Sequence, residues 1–113
     1  MPSYTKEFLS GSVNGRPIKL VAIATPGTAI HTAHATSKDE VWLWGHNTTT
    51  TDSRIVIEFG GVTNPDDRMY FIVPATDTIL LCAGEILSGS LLIKGFADVA
   101  SAVNVSGYVN RVT

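Results

Sequence analysis

The chain contains one cysteine, Cys82, and no glutamine. A single cysteine forms no internal disulfide, which excludes a disulfide-stapled scaffold. Charged residues make up 16% of the 113 positions, below the ~25% usual in soluble domains. Eight basic residues face ten acidic ones, for a net charge of −2. The Lys/Arg excess of an electrostatic nucleic-acid binder is therefore missing, and no nucleic acid is expected as a partner. Apolar runs are short, the longest being stretches such as Ile79–Ala83. A membrane-spanning helix needs roughly 20 apolar residues, so no membrane is expected either. The opening residues, Met1–Gly15, are polar and contain no apolar stretch of the kind that marks a secretory signal. The sequons Asn47-Thr48-Thr49 and Asn104-Val105-Ser106 accordingly read as chance matches.

What the chain does contain is β-forming residues. Hydrophobic residues reach 44%, enough for a core. Val, Ile and Thr far outnumber Glu, Lys and Arg. The first group suits pleated surfaces and the second usually fills helix surfaces. Apolar residues alternate with period two and show no sustained helical stripe. In Ser53–Phe59, Ile55, Ile57 and Phe59 fall on one side and Arg54, Val56 and Glu58 on the other. In 103–110, Val103, Val105 and Val109 face in, while Asn104, Ser106, Tyr108 and Asn110 face out. Val41-Trp42-Leu43-Trp44 is apolar on both faces, so both sides of that strand call for cover.

Strands are predicted at 17–24, 28–34, 40–47, 53–59, 69–73, 78–82, 90–97 and 102–111, with a short pairing segment near 5–9. Turn residues separate them, including Thr25-Pro26-Gly27, Gly60-Gly61, Asn64-Pro65-Asp66-Asp67 and Ser88-Gly89. About eight short strands at this spacing predict an all-β fold, an antiparallel β-sandwich of jelly-roll type. The expected organisation is a polar N-terminal arm over 1–16 and one sandwich domain over 17–113.

Chemistry-bearing patterns are sparse. His31 and His34 are three apart, which on a strand places them on opposite faces. With His46 they read as surface or interface histidines, and no metal is expected. Cys82, between Leu81 and Ala83, reads as a small buried hydrophobe. Asp66-Asp67 reads as turn chemistry, since the alternating oxygen ligands and distant Glu of a calcium loop are absent. No nucleophile elbow, zinc-protease or P-loop motif occurs. Neither an enzymatic activity nor a cofactor is expected. Trp42 and Trp44 share a strand face, and with Tyr108 they are the candidate contact residues, as core or interface filling or as a stacking platform for sugars.

Several stretches together carry a resemblance. Gly27–Ala33 leads into Asp39-Glu40-Val41-Trp42-Leu43-Trp44, then through Asn47 and a Thr/Ser loop to Ile55–Gly61, Asp66-Asp67, Val73-Pro74 and finally Ser106-Gly107-Tyr108-Val109-Asn110-Arg111. Over roughly residues 17 to 113 the chain resembles the small β-sandwich decoration, or cement, proteins of tailed-bacteriophage capsids. The resemblance implies a virion protein made in the host cytoplasm and placed on the outer capsid surface. It implies the major capsid protein as partner, a homodimer or homotrimer, no active site, and a shell held together against the pressure of packed DNA. The arm over 1–16 would then reach across a neighbouring subunit. A tail or head-fibre module binding host glycan through Trp42 and Trp44 is the alternative.

Overall fold

The computed structural model of the chain describes residues 3–113, so residues 1 and 2 of the expected arm lie outside the described residues. Nine strands form, and no helix among the described residues. They are β1 (Tyr4–Phe8), β2 (Ile18–Lys19), β3 (Thr28–Thr32), β4 (Lys38–Asn47), β5 (Ser53–Phe59), β6 (Arg68–Val73), β7 (Thr78–Leu87), β8 (Leu92–Ala97) and β9 (Val103–Val112). Two antiparallel sheets pack face to face as a β-sandwich. One runs β1–β9–β4–β7, with β2 also on β9; the other runs β3–β8–β5–β6.

Alternation accounts for the core. On β4, Val41 and Leu43 point inward and are fully buried, while Trp42 and Trp44 point outward. On β9, Val103, Val105 and Val109 are fully buried and face the same interior. Ile55, Ile57, Val73 and Ile93 of the opposing sheet meet them, and Leu9, Leu20 and Ile30 belong to the same cluster. This is the usual arrangement of two inner faces interdigitating across a layer about 10 Å thick.

Three local departures from expectation have physical causes. The segment 17–24 pairs only at Ile18–Lys19. Beyond it the amides of Val21 and Ala22 both donate to the Thr28 hydroxyl, each at 3.1 Å, so the chain leaves the ladder and crosses between sheets. β7 continues past 82 to Leu87 because the register with β4 shifts twice, between Val41 and Trp42 and between Leu43 and Trp44. Such bulges let a strand go on pairing while it twists. The short pairing segment expected near 5–9 forms as β1: Tyr4–Phe8 pairs along β9, and Leu9 is 1% exposed in the core. On the outer face of β5, Val56 and Glu58 are buried as well. The Glu58 carboxylate accepts from the Thr25 hydroxyl and, at 2.6 Å, from the Gly27 amide, so the 25–27 turn folds over that side of the sheet.

Candidate functional site

Trp42 and Trp44 stand two apart on β4 and so project from the same side of the sheet. β4 pairs with β9 so that Trp42 lies opposite Tyr108. The ring centroids are 6.4 Å apart for Trp42 and Trp44, 6.4 Å for Trp42 and Tyr108, and 6.2 Å for Trp44 and Tyr108, with interplanar angles of 20°, 16° and 29°. The three candidate contact residues thus form one half-buried aromatic cluster on the outer face of the five-stranded sheet.

Two glycines set its base. Gly107, with φ +153°, lets β9 approach β4 so closely that a Cβ there would collide with the Trp42 carbonyl oxygen. Gly84, with φ +81°, lies under the indole, where a Cβ would come within 3.2 Å of Trp42 Cζ2. Both positions use conformations that L side chains rarely adopt.

Two further side chains extend the cluster into a band. Phe8 on β1 pairs opposite Tyr108 and is 63% exposed. Leu80 on β7 pairs opposite Trp44 and is 47% exposed. Leu80, Trp44, Trp42, Tyr108 and Phe8 therefore cross four adjacent strands. Polar groups border them. The Lys6 ammonium sits 4.9 Å from the Tyr108 ring centroid. Trp42 Nε1 donates to Glu40 Oε1 at 3.0 Å, and Asn110 Nδ2 donates to the same oxygen at 3.4 Å. His46 is hydrogen-bonded to Thr78 Oγ1 at 2.9 Å and to Ser106 Oγ at 2.5 Å. An apolar centre with a polar rim is the composition of a protein interface. Alternation within 4–8 marks Phe8 as sharing a face with Tyr4 and Lys6; reading the segment as a polar arm hid that signal.

The remaining candidates are engaged structurally. His31 is buried, 3% exposed, which corrects the expectation of a surface or interface residue. Its Nδ1 accepts from the Ser10 amide at 3.0 Å, so the Nε2 proton faces Asp39 Oδ2 at 2.8 Å. Asp39, fully buried, is also gripped by Arg111. Burial raises the Asp39 pKa, but hydrogen bonds from Arg111, His31 and the His34 amide, with the Arg111 charge, outweigh it and lower the value to about 2. The bond to Asp39 in turn raises the Arg111 pKa. His34 Nδ1 accepts from the amides of Thr36 and Ser37 at 3.1 and 2.9 Å. Asp67 Oδ2 accepts from the Thr63 amide at 3.1 Å, closing the 63–67 turn. Cys82 is fully buried, and burial, with the nearby Glu85 carboxylate, pushes its thiol up to about 12. Among the described residues no group of three or more His, Cys, Asp or Glu is arranged to hold a metal ion.

Comparison with protein-family models, with curated proteins and with solved structures finds no match.

Proposed function

We propose that this chain is a non-enzymatic structural protein of a phage virion, which binds the outer capsid surface as a homo-oligomer and stabilises the shell. The observation that carries the reading is the aromatic band of Trp42, Trp44, Tyr108, Phe8 and Leu80, displayed across four strands on one outer sheet face. Aromatic side chains concentrate binding energy at protein interfaces. A specific interface covers about 800 Å² per partner, and a molecule measuring 48 by 27 Å in its two longer dimensions has room for it on one broad face. Copies on a lattice add avidity, so a modest single contact suffices. The major capsid protein is the partner this reading names.

The finer fold reading belongs with it. β1 and β2 pair with β9, β3 with β8, β4 with β7, and β5 with β6. These are the successive pairs of one long antiparallel ribbon wound into two sheets, which is how a jelly roll is built, and jelly rolls recur in viral capsid and lectin domains.

Co-sedimentation with capsids lacking the protein tests the reading. Saturable pelleting at a fixed copy number per capsid, lost in the Trp42→Ala/Trp44→Ala double variant, is the expected result, and the copy number then distinguishes dimer from trimer sites. The glycan-binding alternative is favoured by one observation, the half-buried tryptophan pair beside polar His46, Glu40 and Asn110. Absence of capsid binding together with saturable binding to host surface glycan would replace the first reading with the second.

A further inference from the structure

The outer face of the other sheet has a different chemistry. Tyr70, Val56 and Phe96 lie in one row across β6, β5 and β8. Arg54, two residues before Val56, places its guanidinium carbon 5.7 Å from the Tyr70 ring centroid. Arg68 pairs with Glu58 in the next row, yet its guanidinium carbon is 5.5 Å from the Phe96 centroid, so its side chain reaches from β6 over β5 to β8. That crossing accounts for Val56 being only 4% exposed. Both guanidinium groups therefore converge on the central row, and both line one cleft of about 350 Å³.

Neither guanidinium is in an ion pair. Among the described residues, the ion pairs are those of Asp39, buried at the inward phase of β4 in the other sheet. The acid nearest Arg68 in register, Glu58, is turned away toward Thr25 and Gly27. Asp98, at the cleft margin, accepts from the Ser53 hydroxyl at 2.7 Å, and Asn64 Oδ1 accepts from the Tyr70 hydroxyl at 2.8 Å. Arg68 Nε is buried with no hydrogen-bond partner. A buried donor left unpaired is uncommon and calls for a partner. In a chain of net charge −2, this face concentrates two unpaired guanidinium groups with a single carboxylate beside them.

We infer that this cleft is a binding site for a compact oxyanion, a carboxylate or phosphate group, received by the Arg54 and Arg68 guanidinium groups. The planar fork of arginine matches such anions, and stacking on Phe96 and Tyr70 holds the forks in place before the ligand arrives. The site lies on the opposite face from the aromatic band and does not depend on it.

Titration of the isotope-labelled protein with sodium phosphate and, separately, sodium glucuronate, at constant ionic strength, tests the site by amide chemical shifts. The expected result is saturable movement of the Asn64, Tyr70 and Phe96 amides with at least one of the two anions and none with glucose. Which anion moves them separates a phosphate from a carboxylate source. Arg68→Gln weakens binding about tenfold or more, as loss of one charge-assisted contact requires, and Arg68→Lys fails to restore it because the fork is gone. Exposed Arg54→Gln serves as a second variant if Arg68→Gln does not fold, and Arg16→Gln binds as the wild type does. No saturable shift with either anion, or wild-type affinity in both Arg54→Gln and Arg68→Gln, overturns the inference.

Discussion

Arg111 on β9 grips Asp39 on β4 with two bonds, Nε to Oδ1 at 2.8 Å and Nη2 to Oδ2 at 3.1 Å. The carboxylate is fully buried and is also held by His31, whose ring is tied to the Ser10 amide. One charged cluster thus joins the segment after β1, the end of β3, the start of β4 and the end of β9.

This cluster predicts acid sensitivity. The folded Asp39 pKa, about 2, lies below its ordinary 3.8, so the unfolded chain binds the proton first. The stabilisation is present above pH ~4 and is lost as pH falls through about 2, and a shift of this size corresponds to about 2 kcal/mol. Arg111→Met removes the partner and leaves a buried charge, a change that costs about 3–5 kcal/mol in comparable cases. Urea unfolding should show the Arg111→Met deficit to be large at pH 7 and much smaller at pH 2. An equal deficit at both values would mean that the pair is not the source.

The glycine under the aromatic cluster gives a second prediction. A methyl group at Gly107 collides with the Trp42 carbonyl oxygen, so β9 must move away from β4. Gly107→Ala should cost more than about 3 kcal/mol or prevent folding, as expected for overpacking against backbone combined with a strained φ. Gly89 is the control, because its φ is +70° but nothing lies within 4 Å. Gly89→Ala should cost only about 1 kcal/mol, from the backbone conformation alone. Thermal unfolding of the two variants checks the difference.

How far the residues themselves announce this arrangement varies by element. The inward and outward sets of β9 follow from alternation, and so does the shared face of Trp42 and Trp44, but on β4, apolar on both faces, alternation alone does not tell which face is the core. Tyr108 joins them only because β9 pairs with β4, and pairing between distant strands is not written in either strand's pattern. Asp39 falls just outside the strand predicted at 40–47, and its partners His31 and Arg111 come from β3 and β9. Glu58 carried no local sign of burial: by alternation it points outward, and only the 25–27 turn folding over it removes it from water. Arg68 likewise reads as an ordinary surface cation until its reach across β5 to Phe96 is seen.

Cys82 supplies a prediction about reactivity. Its thiol is fully buried and pushed up to about 12 by burial and then by Glu85, so almost no thiolate exists at pH 7 to 8. Labelling by a disulfide reagent should therefore proceed only through opening of the core, with a rate that rises steeply as urea approaches the unfolding midpoint. Rapid labelling of the native protein in buffer would place Cys82 outside the core described here.

If the aromatic band is the capsid contact proposed above, function and stability separate at it. Trp42 and Trp44 are half-buried on an outer face, above a core that Val41 and Leu43 fill from the other side of the same strand. Leu43→Ala empties a fully buried site and should cost about 2–5 kcal/mol. Trp44→Ala removes a ring that keeps solvent on one side and loses its contacts to Trp42 and Tyr108, each such aromatic pair being worth about 0.5–1.5 kcal/mol. The two variants should therefore part company. Leu43→Ala lowers the unfolding midpoint strongly but, while folded, still pellets with capsids. Trp44→Ala unfolds nearer to wild type yet pellets poorly, because a ring at the centre of an interface carries more binding energy than its neighbours. If Trp44→Ala pelleted as well as the wild type, the band would be packing on the sheet surface alone, and the capsid contact would have to lie on another face.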